Sequence, residues 1–127
     1  MKTLDLEDLI QLHVLVLRQT GGGEGLRDLG RLESVIASQT QEVFSEELYK
    51  GLFEKAAALA RGIVADHPFV DGNKRTAMLS ATTFIAVNGF RFTAKKGELE
   101  DFAVAIAVEH LDVPAIAMWF KAHSKKV

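Results

Sequence analysis

Leu6, Leu9, Ile10, His13, Val14 and Leu17 recur three and four residues apart, which predicts an amphipathic helix at the start of the chain. Leu12, Leu15 and Val16 widen that stripe, so this helix is either deeply buried or meets a partner. The run Thr20-Gly21-Gly22-Gly23-Glu24-Gly25 stops it, because a helix does not tolerate so many glycines. Asp28 is the expected N-cap of a second helix, with Leu29, Leu32, Val35 and Ile36 facing inward. A polar stretch from Ser38 to Glu46 follows, interrupted by Val43 and Phe44. A third helix is expected from about Glu46 to Ala65, its inner stripe including Leu48, Leu52, Phe53, Ala56, Leu59 and Ile63. Proline and glycine break the pattern between Asp66 and Gly72. A fourth helix resumes at Asn73 and ends at Asn88-Gly89. Between Ala77 and Val87 it is apolar nearly all round, which marks it as the central, buried helix. Phe90 to Phe92 is at most a short extended piece, Glu98 to His110 reads as a fifth helix, and Pro114 opens a sixth with Ile116, Trp119 and Phe120 on one stripe. No repeat or linker divides the chain. The expectation is an all-α fold, a compact bundle of about six helices in one domain spanning 1–127, ending in a solvated basic tail from Lys121 to Lys126.

Composition narrows the function classes. A chain of 127 residues and 13.9 kDa is one domain's worth, and 48% hydrophobic with 25% charged residues is too apolar for disorder. Fifteen basic against seventeen acidic residues give a net charge of −2, without the global positive field of a typical nucleic-acid binder, so no direct nucleic-acid partner is expected. Having no cysteine, the chain has no disulfide, thiolate zinc site or thiol nucleophile. Its apolar runs are too short for a bilayer, and Asp5, Glu7 and Asp8 stand where a signal peptide needs basic and then apolar residues. A small cytoplasmic protein away from membranes is expected.

The chemistry concentrates in Asp66-His67-Pro68-Phe69-Val70-Asp71-Gly72-Asn73-Lys74-Arg75-Thr76, which joins two of the most apolar helices. His67 can take a proton near neutral pH. Asp71 is a hard oxygen ligand, and magnesium on a nucleotide often needs only one or two protein carboxylates. Gly72 permits close backbone approach, and from Asn73 onward the free amides of a helix start offer an anion site. Lys74 and Arg75 stand in the first helical turn, where each cation opposes the dipole at about 0.3–1 kcal/mol unless an anion compensates. Singly, each residue reads as an ordinary turn or cap. In this order they read as phosphoryl or nucleotidyl transfer.

The string His-Pro-Phe-Val-Asp-Gly-Asn-Lys-Arg, 67–75, resembles the signature His-x-Phe-x-(Asp/Glu)-x-Asn-x-Arg of the Fic/Doc family at every specified position. Gly22 to Asp28, Leu32-Glu33, the stretch from Glu54 to Ala58 and Asn88-Gly89 extend the resemblance to Doc-type toxins over most of the chain. The resemblance implies the helical Fic/Doc fold, with ATP and Mg2+ as co-substrate and cofactor. His67 would be the general base for a target Ser or Thr hydroxyl, and Asp71 the magnesium ligand. Gly72, Asn73, Lys74 and Arg75 would bind nucleotide phosphate, and Phe69 would anchor the loop in the core. Glycine is usual at the position of Lys74 in the adenylyl-transferring branch, whereas lysine marks the Doc-type branch. Lys74 therefore implies transfer of the γ-phosphate, while Pro68 and Gly72 match the adenylyl branch and keep AMP transfer as the alternative. A catalytically silent helical binding module is the alternative from another class.

By the same resemblance the target is a translation factor, elongation factor Tu, and the regulator an antitoxin whose disordered tail folds onto the toxin. Thr20 to Gly25 also fits the letters Ser/Thr-x-x-x-Glu-Gly/Asn of self-inhibiting Fic enzymes, but three successive glycines do not hold that helix, so inhibition in trans is expected. His13, His110 and His123 lack metal-ligand spacing, and His13 reads as a packed, hydrogen-bonded core residue. Val43 and Phe44 are candidates for the flap that holds the target's backbone. Replacing both with polar residues is expected to impair target modification more than nucleotide binding, and unchanged activity would refute that assignment.

Overall fold

A computed structural model describes residues 1–127. Six helices follow in order: α1 (Leu6–Thr20), α2 (Leu29–Ala37), α3 (Leu52–Asp66), α4 (Asn73–Val87), α5 (Lys96–Glu109) and α6 (Val113–Ala122). Two antiparallel pairs of short strands join them, β1 (Glu42–Val43) with β2 (Glu46–Glu47), and β3 (Phe90–Phe92) with β4 (Ser124–Lys126). The fold is all-α in class, with α3 and α4 packed against each other at its centre. Helix α3 also packs on α2, α5 and α6, so the central position is shared rather than held by α4 alone.

Local chemistry explains the helix ends. Asp5 and Asp8 form a reciprocal capping box at α1, with N–O distances of 2.8 and 2.9 Å. Asp28 caps α2 by accepting from the Arg31 N–H, and Asp112 caps α6 by accepting from the Ala115 N–H. Leu59, Ile63, Phe84, Ile85, Ile116 and Phe120 are fully enclosed in one core of 22 residues, while Ala56, Ala57, Ala60, Ala77 and Ala81 let the backbones of α3 and α4 approach. Trp119 stacks on Phe102 with ring centroids 4.0 Å apart, so it is a packing residue at the end of the bundle.

Three boundaries differ from the sequence-based expectation. The third helix begins at Leu52, not near Glu46: Gly51 takes the N-cap with extended backbone, and residues 42–47 form a hairpin instead. Phe44 and Ser45 turn that hairpin with φ of 52° and 65°, the two positive angles of a type I′ turn, without the Asn-Gly pair that signals one. Leu48 is accordingly exposed rather than part of an inner stripe. The tail is not a free terminus either. Ser124 to Lys126 pairs with Phe90 to Phe92, and His123 accompanies it by stacking on Trp119 at 4.0 Å. The fifth helix starts at Lys96, two residues early, and ends at Glu109 with His110 in the left-handed region. No helix is long and apolar enough to cross a membrane.

Candidate active site

Helix α3 carries the chain to Asp66, and His67 then turns it out of the helix. Its φ and ψ are 46° and 58°, and its N–H donates to the Ile63 carbonyl at 3.2 Å. A non-glycine residue held left-handed costs about 1–2 kcal/mol, and a following proline restricts it further. Strain of this size persists where the surroundings over-determine the backbone. Here they do, because segment 23–31 and Asn73 occupy most of the loop's backbone groups. Arg27 and Asp28 donate their N–H groups to the Pro68 carbonyl at 2.7 and 3.0 Å, and the Val70 N–H donates to the Gly25 carbonyl at 3.0 Å. The Asn73 side chain bridges both the N–H and the carbonyl of Phe69 at 3.0 Å each. Asn73 therefore shapes the loop with its amide, and what it presents to a ligand is backbone.

Phe69 is buried beneath the loop, where its ring lies on the His13 ring with centroids 3.9 Å apart and planes 10° from parallel. The His13 Nε2 lies 2.8 Å from the Asp71 carbonyl oxygen, so the ring donates there. His13 is thus packed and hydrogen-bonded in the core, and it ties α1 to the loop. The Asp71 carboxylate accepts from the Gly72 N–H at 2.9 Å through Oδ1 and from the Gly23 N–H at 3.3 Å through Oδ2.

Gly72 takes the N-cap of α4 with φ 76°, and no side chain caps that helix. The first turn also contains no acidic residue. Its leading N–H groups therefore face outward with the positive end of the dipole, alongside the exposed Lys74 and Arg75. Arg75 stands 3.8 Å from Glu100 across a half-exposed gap, a contact weak enough for an incoming anion to displace.

His67, Asp71, Gly72, Asn73, Lys74 and Arg75 all line one polar cavity of about 530 Å³. The structure thus brings together the whole set named from the sequence, with Phe69 beneath it. The opposite wall was not foreseen. Thr20, Gly21 and Gly22, the end of α1 and the glycine run, close the cavity from above. Gly22 has φ 117°, a conformation that strains any residue with a side chain, and a Cβ there would lie 2.7 Å from the Asp71 Oδ2 and push the carboxylate aside. The run of glycines was the available signal, although it reads first as a helix stop.

A model of the Fic/DOC family matches residues 3–85, from the start of α1 through nearly all of α4. The chain belongs to the Fic/DOC family. It is similar to "Toxin Doc" of Mycolicibacterium smegmatis, 34% identical over 116 residues that cover 90% of this chain and 87% of that protein. It is also similar to "Protein kinase doc" of Escherichia phage P1, 35% identical over 117 residues that cover 92% and 91%. In this Fic/DOC chain no group of three or more His, Asp or Glu side chains converges as a metal cage. Asp71 offers a single hard carboxylate whose two oxygens keep lone pairs beyond their N–H contacts. That donor set fits magnesium completed by nucleotide phosphate oxygens, not a free-standing metal centre. Residues 21–25 run without helix, so the Thr20 to Gly25 letters do not form an inhibitory helix.

Proposed function

We propose that this Fic/DOC chain is the toxin of a toxin–antitoxin pair and moves the γ-phosphate of Mg-ATP to a Ser or Thr hydroxyl of a translation factor, elongation factor Tu. One observation carries the reading: a base at the end of one helix and an uncapped, doubly cationic helix start open on the same cavity. The names "Toxin Doc" and "Protein kinase doc" of the two relatives support it.

The chain's own residues supply positioning and electrostatics. Arg75, Lys74 and the first N–H groups of α4 bind phosphate oxygens and stabilise charge that develops on them. Asp71 would hold magnesium, which when bound would neutralise phosphate charge. His67 takes the acceptor hydroxyl proton as that oxygen bonds to the γ-phosphorus, and the bond from the γ-phosphorus to the bridging oxygen breaks to release ADP. Lys74, the residue of the Doc-type branch at this position, favours γ-transfer by resemblance. Pro68 and Gly72 favour the alternative, AMP transfer by the same site. Incubation of elongation factor Tu with α- and γ-labelled ATP separates the two: label from γ alone is expected, and label from α alone would sink the kinase reading.

Two surfaces support the partners. At the hairpin tip Phe44 is 97% exposed, and the buried Lys55 anchors the hairpin base through Glu47 at 3.2 Å, which suits a flap for a target backbone. An apolar groove of about 400 Å³, lined by Val16, Met78, Leu79 and Leu99, shares Lys74 and Arg75 with the cradle. An antitoxin tail folding there would cover the phosphate-binding cations, which supports inhibition in trans.

A further inference from the structure

We propose that Arg27 is a positioning residue for His67, an inference that rests on reading His67 as the general base. The side chain of Arg27 reaches back over the end of α3. Its Nη2 donates to the Asp66 carbonyl at 2.7 Å and its Nε donates to the His67 carbonyl at 2.7 Å. Its own backbone N–H donates to the Pro68 carbonyl at 2.7 Å. One residue thus takes three consecutive carbonyls, and the middle one belongs to the left-handed His67.

The chemistry of guanidinium suits this task. Its planar fork delivers two parallel donors at fixed spacing, and a cation at a helix C-terminus meets the negative end of the dipole. The ion pairs of the chain involve Arg31, Lys50, Lys55, Arg75 and His123, and Arg27 is not among them, so its guanidinium serves the carbonyls. It is exposed and lies outside the core, which separates its role from packing. Arg31 provides the comparison within the same molecule. It donates from Nη1 to the Asp66 carbonyl at 3.0 Å but does not bond to His67.

The peptide on either side of His67 decides where the imidazole points. Free of the fork, the residue before a proline relaxes toward extended backbone, and the ring leaves the cavity. The phosphate cradle is built from the other end of the loop, by Gly72 and the start of α4, so nucleotide binding is expected to survive that change.

The test uses the full chain as Arg27→Ala, Arg27→Lys, Arg31→Ala and His67→Asn variants. Growth arrest on graded induction reports activity on the natural target. Calorimetry with ATP and magnesium reports the cradle, and thermal melting reports the fold. Arg27→Ala is expected to need at least tenfold more induction for arrest while its Mg-ATP affinity stays within threefold of the parent. Arg27→Lys, restoring charge without the fork, is expected to fall between them, and Arg31→Ala to behave like the parent. Arrest by Arg27→Ala at the parent's induction level overturns the proposal, as does loss of Mg-ATP affinity in step with activity, or an equal loss in Arg31→Ala. If His67→Asn also arrests growth like the parent, the reading of His67 as base fails instead.

Discussion

His67→Asn is expected to lower phosphate transfer by about 10²- to 10⁴-fold, the range over which a positioned base accelerates such a step. Asparagine is chosen because His67 is left-handed, with φ 46°, and asparagine tolerates that region better than most residues. The variant therefore keeps the turn and a polar tip and removes the proton acceptor. Its melting temperature is expected to match the parent's, and its affinity for Mg-ATP should persist, because Asp71, Lys74, Arg75 and the start of α4 are untouched. His67→Ala should lose as much activity and melt below His67→Asn, because alanine tolerates the left-handed region less well than asparagine. Transfer of γ-label to elongation factor Tu and growth arrest on induction measure the effect. If His67→Asn arrested growth as strongly as the parent, catalysis by His67 would not be the function, and a non-catalytic binding module would account for the arrest.

The contiguous half of this site was legible because its chemistry is local. Residues 67–75 carry an imidazole, a carboxylate, a glycine turn and two cations in one string, and the change from helix to loop to helix around them follows from Pro68 and Gly72. The other half is supplied from a distance by groups that leave no chemical mark. His13 reaches Asp71 across 58 residues of chain, Gly23 across 48, and Arg27 reaches His67 across 40. Two of these are an aromatic ring on an apolar stripe and a backbone N–H, which look identical whether or not a loop lies against them. The helices were readable through 3.6-residue periodicity and caps such as Asp28. Of the strands only β3 was readable, as the short extended piece at Phe90 to Phe92, since two- and three-residue segments carry too few positions for a period of two. Glu46, Glu47 and Leu48 are all good helix formers, but pairing with residues 41–43 and the contact of Lys55 with Glu47 hold them in a hairpin. The tail was misread for a related reason: Lys125 and Lys126 are exposed as charges should be, yet their backbone completes a ladder with Arg91 and Phe90.

Phe69→Ala is expected to be the most destabilising single change in the motif. Phe69 is 1% exposed, belongs to the main core, and is the ring on which His13 lies. Truncating a buried phenylalanine removes about 3–5 kcal/mol, because the lost burial is compounded by a cavity that the surroundings only partly fill. A domain of this kind has about 5–15 kcal/mol in total, and near this size each kcal/mol shifts melting by about 4 °C. The expected drop is therefore about 12–20 °C in a thermal melt, and a drop below about 4 °C would contradict the burial. Phe69→Leu separates stability from function. It keeps most of the apolar volume, so its stability loss should be nearer to about 1.5 kcal/mol. It nevertheless removes the flat ring that holds His13 parallel at 3.9 Å, and with it the alignment of the His13 Nε2 on the Asp71 carbonyl at 2.8 Å. Calorimetry below the melting range should then show weaker Mg-ATP binding in Phe69→Leu than its stability alone explains. Equal affinity in the leucine variant would mean that Gly23 and Gly72 hold the Asp71 carboxylate without help from α1.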